Sequence, residues 1–482
     1  MPKAYISAFE DLTLIRPFVC RSALLGIALG LSTASYVDAQ VTLLAVGSLT
    51  QSDAGQNADL SSLTYKLENG APANLLGGLG SGITYAGSDT FLALPDRGPN
   101  AISYNSAIDD TSSYINRFHT ITMALTPNPN SKTLPFTLTP RLSGTTLLWS
   151  ATNLFYGTGA GLGVPSGVPP INNVVQHFFT GRSDNFDPTR NSGYANNARF
   201  DTEGIRVSND GSSVFISDEY GPYVYQFNRY TGARSRSFKL PDEFYTSAVS
   251  PVGATEISGN TIGRTANKGM EGLAITPDGR TLVGIMQAAL IQDANLGGDA
   301  ANLLRIVVID LDTGSVIHQY AYKLTTGSGV SEILALNNHE FLIDERDGRG
   351  REGGNNLTSN DARIKQIFKI DLANATDVSG LNGTNAVKLA VPKTLFLDFV
   401  KLLTGAGFSA TSDVPSKIEG LTFGPDVKQG STTLHTLWIA NDNDFVLASG
   451  DTPSVANPNQ FFVFGFTDAD LAGTTLIRQF LN

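Results

Sequence analysis

The sequence predicts an all-β fold, a β-propeller built from one repeated unit of strands. Short runs of β-branched and aromatic residues with period-two alternation dominate from Val41 onward. The runs end at turn sequences such as Asn209-Asp210-Gly211, and the same unit recurs along the chain. Radial repetition of antiparallel strands is how a propeller protects its sheet edges, so this pattern favours a propeller.

Five copies of the unit can be identified. Each begins with an acidic or small residue, then Gly or Ile and a first strand; a second strand ends in polar residues, and a third strand comes later. The copies begin at Ser81, Glu203, Glu271, Glu332 and Glu419. Their third strands are expected at residues 117–125, 223–230, 305–311, 366–372 and 461–466. Because the interval 99–202 has room for a sixth copy, we expect five to seven four-stranded blades, with six preferred.

The two ends of the repeat must meet if the ring is to close. We therefore expect residues 41–49 to join the blade that contains residues 461–466. The Gly- and Pro-rich stretch 157–170 and the polar run 182–197 predict a loop insertion, around residues 150–200, over one face. A pair of β-sandwiches or a β-helix is the competing fold, because strand patterning does not distinguish ring closure from stacking.

The first 39 residues have the order of a secretory signal. Three basic residues precede an apolar stretch at residues 23–31, and a region of small residues ends at Ala39. That apolar stretch is shorter than the roughly 20 residues that a membrane span needs. We expect cleavage after Ala39, which leaves residues 40–482 as one exported domain in the periplasm or outside the cell. An ordinary first helix of the domain is the alternative.

Charge and cysteine content narrow the classes of function. The chain has 33 Lys and Arg against 44 Asp and Glu, a formal net charge of −11, which is poorly suited to nonspecific binding of nucleic acid. The one cysteine, Cys20, lies in the predicted signal, so the exported domain has no disulfide and no thiolate nucleophile. P-loop and Gly-x-Ser-x-Gly motifs do not occur. We expect a monomer without an integral membrane span that binds a small molecule.

The repeat concentrates acidic residues near one axis, because equivalent positions of the inner strands surround the central channel of a propeller. Glutamates at such positions repel one another and are costly to bury unless a cation compensates them. Calcium, which takes six to eight oxygen ligands, is the obvious compensator. The acids concerned are Glu203, Glu271, Glu332 and Glu419. For any one of them, a structural role as a turn cap that links neighbouring blades is the alternative.

Arginine is the second possible compensator. Arg97, Arg346 and Arg349 lie in loops that follow second strands. From there they are expected to pair with the acids or to bind an anionic substrate in a bidentate manner. The ring of acids is incomplete, because the first copy has Ser81 instead of Glu and the third copy ends Met286-Gln287 without an acid.

Short motifs between about residues 75 and 465 point to a known family. They are Asp96-Arg97-Gly98, Asp201-x-Glu203-Gly204, Ser217-Asp218-Glu219-Tyr220-Gly221, Asn267-Lys268-Gly269-Met270-Glu271-Gly272-Leu273, Glu345-Arg346-Asp347, Lys369-Ile370-Asp371-Leu372 and Lys417-Ile418-Glu419-Gly420-Leu421. In these motifs the chain resembles the phytase-like family, also called "esterase-like activity of phytase". The resemblance implies a secreted β-propeller whose repeated acids support phosphoester hydrolysis. It carries that role to Glu203, Asp218, Glu219, Glu271, Glu332, Glu345, Asp347 and Glu419.

These observations lead to one hypothesis and two alternatives. The hypothesis is an exported, calcium-dependent hydrolase of small anionic phosphoesters with an acidic central funnel. The alternatives are a noncatalytic propeller that binds a ligand or partner, and a lactonase or carboxylesterase that uses the same funnel. The expected catalytic residues are Glu203, Glu219, Glu271 and Arg346; the expected substrate-binding residues are Arg97, Arg346 and Arg349; the expected metal ligands are Glu203, Asp218, Glu271, Glu332, Asp347 and Glu419.

Overall fold

The computed structural model describes residues 41–481 except residues 50, 222, 352–360 and 450–454. The predicted signal segment, residues 1–39, lies outside the described residues, so its cleavage remains a prediction. Within the described residues, five antiparallel sheets of four strands each form the blades of a β-propeller. The inner strand of each blade contacts the inner strands of two other blades, which closes the ring.

The blades are numbered in chain order, and their strands are given from the inner to the outer edge. Blade 1 is Gly82–Tyr85, Thr90–Leu94, Arg117–Pro127 and Phe136–Leu147, and blade 2 is Thr202–Val207, Ser213–Asp218, Val224–Asn228 and Arg234–Phe238. Blade 3 is Met270–Ile275, Thr281–Met286, Leu303–Asp310 and Ser315–Lys323. Blade 4 is Gly329–Ala335, Glu340–Arg346, Lys365–Asp371 and Lys393–Asp398, and blade 5 is Ile418–Gln429, Thr432–Asn441, Asn459–Phe466 and Thr42–Leu49.

The ring closes as the sequence predicts. The amino-terminal strand Thr42–Leu49 is the outer strand of blade 5 and runs antiparallel to Asn459–Phe466. In this pairing Thr42 lies opposite Gly465, and Leu49 lies opposite Asn459. The two ends of the domain are therefore joined by backbone hydrogen bonds within one sheet.

The preferred count of six blades is wrong, because the structure has five within the described residues. The interval that had room for a sixth copy contains the two outer strands of blade 1 and the predicted insertion. Between Leu147 and Thr202, all of it described, the named strands are only the two-residue pair Trp149–Ser150 and His177–Phe178. The insertion is held by irregular backbone contacts instead, such as the bond from the Asn116 amide to the Phe179 carbonyl at 3.0 Å.

The remaining elements are short. The helices are Gly253–Ser258, Ile291–Ala294, Gly383–Ala386 and Phe399–Gly405, with single 3₁₀ turns at Ser106–Ile108, Asp242–Phe244, Gly298–Asn302, Val387–Leu389 and Asp468–Leu471. The other strands are Gln51–Ser52 with Gly55–Gln56, and Ala448–Ser449 with Val455–Ala456. Among the described residues, no helix has the length and apolar character needed to cross a membrane.

The hydrophobic core lies between the faces of neighbouring blades. Alternation along each strand places one set of side chains against the preceding blade and the other set against the next. Phe91 of blade 1 packs on Trp438 of blade 5, for example, with ring centroids 4.5 Å apart. This arrangement leaves polar side chains for the central channel, where the inner strands begin.

The carboxy-terminal segment crosses the end of the channel at which the first and second strands are joined by hairpins. The side-chain amide of Gln479 donates to the Val207 carbonyl at 2.7 Å and to Asn209 Oδ1 at 2.8 Å. The Ile477 amide donates to the Leu336 carbonyl at 2.8 Å. Only a cavity of about 80 Å³ remains beside this segment, so the larger opening is at the opposite end.

Candidate functional site

The inner strands bring one residue from each blade to the open end of the channel. Counted back from each hairpin, Gly272, Glu332 and Gly420 occupy equivalent positions, opposite Ile285, Asp344 and Ala440 of the second strands. The residue at the preceding position lines the cavity at the channel mouth in blades 2 to 5, whereas Ser81 of blade 1 is buried and is not among the lining residues. The five residues at that preceding position are Ser81, Glu203, Glu271, Ser331 and Glu419.

The predicted alignment of blade 4 is therefore wrong by one residue, because Ser331 and not Glu332 is equivalent to the other glutamates. Glu332 is buried and does not line the open cavity. Its Oε2 lies 2.9 Å from Arg206 Nη2, and its Oε1 accepts the Leu273 amide at 2.9 Å. Arg206 also donates to the carbonyls of Ile83 and Ile333 at 3.0 Å each. The pair thus links blades across the channel and is structural.

A cavity of about 470 Å³ opens above this ring, and we call it the acidic cavity. Seven acidic and four basic side chains line it. The acidic ones are Asp96, Glu203, Glu219, Glu271, Asp347, Glu419 and Asp442, and the basic ones are Arg97, Lys268, Arg346 and Lys417. The excess of carboxylates at one site means that a cation or protons must compensate part of the charge.

The carboxylates converge most closely beside blade 2. Asp201, Glu203 and Glu219 are buried, and one oxygen from each lies within 4.8 Å of the others. Glu219 accepts the Gly269 amide at 2.9 Å, which orients its side chain. Next to this group, the buried Oε2 of Glu271 has no hydrogen-bond partner among the described residues. An unpaired carboxylate oxygen in such a place is costly, so this oxygen needs a ligand or a proton.

Burial, reinforced by the neighbouring carboxylates, alters the acidity of the group. Burial and then Asp201 raise the pKa of Glu219 to about 7. Burial and then Glu271 raise the pKa of Glu203 well above its usual range, and burial and then Glu219 do the same for Glu271. No histidine is among the described residues that line the acidic cavity, so a carboxyl group is the available acid or base near neutral pH.

The arginines and a lysine face this group from the other side. Arg97 Nη1 lies 2.5 Å from Asp201 Oδ2, and its side chain is 15% exposed. Arg346 pairs with Glu419 and donates from Nε to the Ser331 hydroxyl at 2.9 Å. Lys417 pairs with Asp442 at 2.9 Å and with Asp444. The second acidic group, Asp96, Asp442 and Asp444, therefore already has an ammonium group beside it.

The expected site residues fall into two sets. The structure brings seven of them to the acidic cavity, and three do not line it. The seven are Arg97, Glu203, Glu219, Glu271, Arg346, Asp347 and Glu419; the three are Asp218, Glu332 and Arg349.

Two of the expected metal ligands are occupied by structural bonds. Asp218 accepts the amides of Asp201, Tyr220 and Gly221 at 2.9–3.1 Å, and so shapes the turn after its strand. Asp347 lies at the cavity wall but accepts the Lys365 ammonium at 2.7 Å and two backbone amides at 3.0 Å. Glu345, which the resemblance also included, is buried against Tyr322 and Lys393.

Sequence reasoning missed several residues at the site. Asp201 and Lys417 each lie two positions before a predicted glutamate, and Asp96 precedes Arg97. Asp442 follows the second strand of blade 5, in a segment whose alternating Asn and Asp are a weak motif alone. For Asp201 and Lys417, proximity to a repeated glutamate was the signal that could have found them, and for Asp96 and Asp442 it was their position directly after a second strand.

The donor set fits a hard divalent cation. Asp201, Glu203, Glu219 and Glu271 offer only carboxylate oxygens, which calcium and magnesium prefer over nitrogen or sulfur. The buried Oε2 of Glu271, which has no partner among the described residues, is a further oxygen that a cation or a proton would satisfy. A cation there would also lower the pKa of these carboxyl groups.

Comparisons with known proteins give a family. The family model named Phytase-like, described as "esterase-like activity of phytase", matches residues 74–445, more than half of the chain. An "Uncharacterized secreted protein" of Arthroderma benhamiae is 32% identical over 176 residues; the match covers 30% of this chain and 34% of that protein. The chain thus spans about a third of the length of this curated relative.

Two solved structures are among the matches, both at low sequence identity. The periplasmic gluconolactonase of Pseudomonas aeruginosa is 10% identical, with a TM-score of 0.31, and the match covers 82% of this chain and 91% of that one. A putative 6-phosphogluconolactonase of Bacteroides uniformis is 13% identical, with a TM-score of 0.29, and the match covers 79% of this chain and 88% of that one.

Proposed function

Because the chain belongs to the phytase-like family, we propose that it is an exported hydrolase of phosphoesters that works in the acidic cavity with bound calcium. One observation carries the proposal: three buried carboxylates converge within 4.8 Å beside the unpartnered oxygen of Glu271. Export is supported by the order of the first 39 residues and by the name of the relative, a secreted protein.

The basic residues of the acidic cavity suit an anionic substrate. Arg97 and Arg346 are each about one-seventh exposed, so part of each guanidinium group faces the cavity. A phosphoryl group there would receive charge-assisted hydrogen bonds from both sides. Since both arginines are also paired with carboxylates, they are held in position before the substrate arrives, which is the arrangement that stabilises developing charge without reorganisation.

Calcium would be held by Asp201, Glu203, Glu219 and Glu271, and it would polarise a phosphoryl oxygen and acidify a bound water. Glu219 is the residue best placed to move a proton. Burial and then Asp201 raise its pKa to about 7 in the absence of a cation, and bound calcium would lower that pKa, so with calcium Glu219 would be a carboxylate that accepts a proton from a bound water. The Gly269 amide donates to Glu219 Oε1 at 2.9 Å, which orients the side chain.

The direct test measures phosphate release from phytate and p-nitrophenyl phosphate, with calcium and with a chelator. We expect turnover only with calcium, and a loss of about 100-fold or more in the Glu203→Gln/Glu271→Gln double variant. The matched control is Glu332→Gln, because Glu332 is also a glutamate of an inner strand but lies outside the acidic cavity. We expect this variant to bind as many calcium ions as the wild type. Turnover that is unaffected by the double substitution would contradict the proposal.

The same assay separates the two alternatives. A noncatalytic propeller would bind calcium and melt at a higher temperature with it, yet release no phosphate from any ester. A lactonase or carboxylesterase would hydrolyse a neutral lactone or ester, and its turnover would be insensitive to Arg97→Gln and Arg346→Gln. Phosphoester hydrolysis should instead fall in both arginine variants, because the charge on the substrate loses its partners.

A further inference from the structure

One side of the acidic cavity carries no charge. From Gln287 to Ser331, every described residue that lines the cavity is uncharged, and the charged lining residues all come before Gln287 or after Ser331 in the chain. The uncharged residues follow the second strand of blade 3 and begin the first strand of blade 4. We call the lining residues from Gln287 to Ser331 the neutral wall. The charge of the cavity is therefore confined to the remaining sides.

The neutral wall includes a position that is charged in three other blades. In the pairing of first and second strands, the equivalent second-strand residues of blades 2 to 5 are Asp218, Met286, Glu345 and Asn441. The residues that directly follow these four, and that all line the acidic cavity, are Glu219, Gln287, Arg346 and Asp442. Blade 3 thus presents an uncharged amide where its neighbours present a carboxylate and a guanidinium group.

The neutral wall offers both space and hydrogen-bonding groups. A Cβ atom at Gly327 would meet no atom within 4 Å, and one at Gly329 would have the Gln287 Cγ as its nearest neighbour, at 3.8 Å. Gln287 and Asn302 are half-buried, and no described residue hydrogen-bonds to either side-chain amide. An amide side chain both donates and accepts, which suits the hydroxyl groups of a ligand.

Both ends of the neutral wall adjoin residues of the proposed reacting site. At one end, the Gln287 amide donates to the Gly269 carbonyl at 2.9 Å, and Gly269 in turn donates to Glu219. At the other end, the Ser331 hydroxyl accepts Arg346 Nε at 2.9 Å. A group covalently attached to a phosphoryl group at that site would therefore meet the neutral wall.

The basic residues of the acidic cavity lie outside the neutral wall and are largely paired. Arg97, Arg346 and Lys417 each form an ion pair with a carboxylate, and Lys268 is exposed. A second phosphate group placed against the neutral wall would lose water without gaining a cationic partner, which is costly. An uncharged group of the substrate does not incur this cost.

We propose that the neutral wall binds the uncharged, hydroxylated alcohol part of a phosphomonoester, and that Gln287 determines this specificity. The inference rests on the proposed function and narrows its substrate to an ester with one phosphate group on a sugar or another polyol. Esters that carry several phosphate groups, such as phytate, are then poorer substrates. The cavity of about 470 Å³ falls within the range of roughly 300–1,000 Å³ that is usual for small-molecule sites, so a sugar phosphate fits in it.

The first experiment measures binding without catalysis. Fructose 6-phosphate and fructose 1,6-bisphosphate are titrated by calorimetry into the Glu203→Gln/Glu271→Gln variant, with and without Gln287→Lys. We expect the parent to bind the monophosphate about tenfold more tightly, and Gln287→Lys to shift the ratio of the two Kd values about tenfold towards the bisphosphate. The matched control is Gln226→Lys, a half-buried glutamine in the third strand of blade 2, outside the cavity. Preference of the parent for the bisphosphate, or a ratio that Gln287→Lys leaves unchanged, would overturn the assignment.

The second experiment tests the role of the Gln287 amide in turnover. With calcium present, the ratio of kcat/KM for fructose 6-phosphate to that for p-nitrophenyl phosphate, which has no hydroxyl groups, is measured in the wild type, Gln287→Leu and Gln226→Leu. We expect the ratio to fall about tenfold in Gln287→Leu alone, because the hydroxyl groups lose their partner. An unchanged ratio would overturn the role of Gln287. Binding that depends on Gln287 in the first experiment, without turnover of either ester in the second, would contradict the proposed function alone and support the neutral wall as a polyol site.

Discussion

Glu219 and Asp96 illustrate how burial determines the chemistry of single side chains in the acidic cavity. Burial, and then the charge of Asp201, raises the pKa of each to about 7. An acid whose pKa is higher in the folded than in the unfolded state binds its proton more tightly when folded. The free energy of unfolding therefore falls as pH rises from the pKa of the unfolded state, near 4, to the pKa of the folded state. A bound cation removes this effect by compensating the charge.

The first prediction concerns how the stability of the protein changes with pH. In a chelator, we expect the wild type to lose stability between pH 5 and 7, and Glu219→Gln to lose up to about 1.4 kcal/mol less for each pH unit. Thermal and urea unfolding at several pH values measure both slopes. The buried His119, whose pKa burial lowers to about 4, makes both proteins more stable as pH rises toward 6.5. Because this effect is the same in both proteins, the difference between their two slopes reports the contribution of Glu219. Parallel slopes would contradict the prediction.

At the scale of elements, close contacts between inner strands explain the glycines that follow the glutamates. A Cβ atom at Gly204 would lie 2.8 Å from the Leu273 amide nitrogen of blade 3. At Gly272 it would lie 2.7 Å from the Ile333 nitrogen of blade 4. These atoms belong to the backbone of the next blade and cannot rotate away. In each of these Glu-Gly pairs, the glutamate faces the cavity and the glycine allows close contact with the next blade.

The second prediction is that Gly204→Ala and Gly272→Ala each lower the free energy of unfolding by about 1–3 kcal/mol, because the added methyl group forces neighbouring strands apart. Gly329→Ala is the control, since that glycine lies in the inner strand of blade 4 and its nearest neighbour would be the Gln287 Cγ at 3.8 Å. Urea unfolding of the three variants measures the difference. If Gly329→Ala is as destabilised as the other two, close packing between blades is not the cause.

Most elements could be predicted because their signals are local. The third strand of blade 3, expected at residues 305–311, is Leu303–Asp310, and that of blade 4, expected at residues 366–372, is Lys365–Asp371. The error at Glu332 has a local cause as well. The pairing of the first two strands shifts at the same place in blades 3, 4 and 5. In blade 4 the glutamate occupies the position of the glycine in the other blades, so an alignment by glutamate is displaced by one residue.

For the whole molecule, closure of the ring depends on the amino-terminal strand. Leu44 and Leu49 of that strand are buried, at 0% and 3% exposure. Without them the apolar strand Asn459–Phe466 becomes an unpaired sheet edge, which favours aggregation. The pairing of Thr42–Leu49 with Asn459–Phe466 therefore stabilises the fold through a contact between the two ends of the propeller.

The third prediction compares a chain that starts at Val41 with one that starts at Thr50. We expect the shorter chain to lose at least about 3–6 kcal/mol of unfolding free energy, from the two buried leucines alone, and to aggregate. Denaturant unfolding and light scattering measure the two effects. Leu44→Ala in the longer chain is the milder control and should lose about 2–5 kcal/mol without aggregation. Equal stability of the two chains would contradict ring closure by this strand.

The sequence by itself determined the strands, their turns, the closing pair of ends and the glutamates of blades 2, 3 and 5, because alternation and repeat spacing are properties of short segments. Only the tertiary structure decided that there are five blades, that Glu332 pairs with Arg206, and that Asp201 lies beside Glu203 and Glu219. Such groups form through contacts between distant segments, which local patterns do not encode.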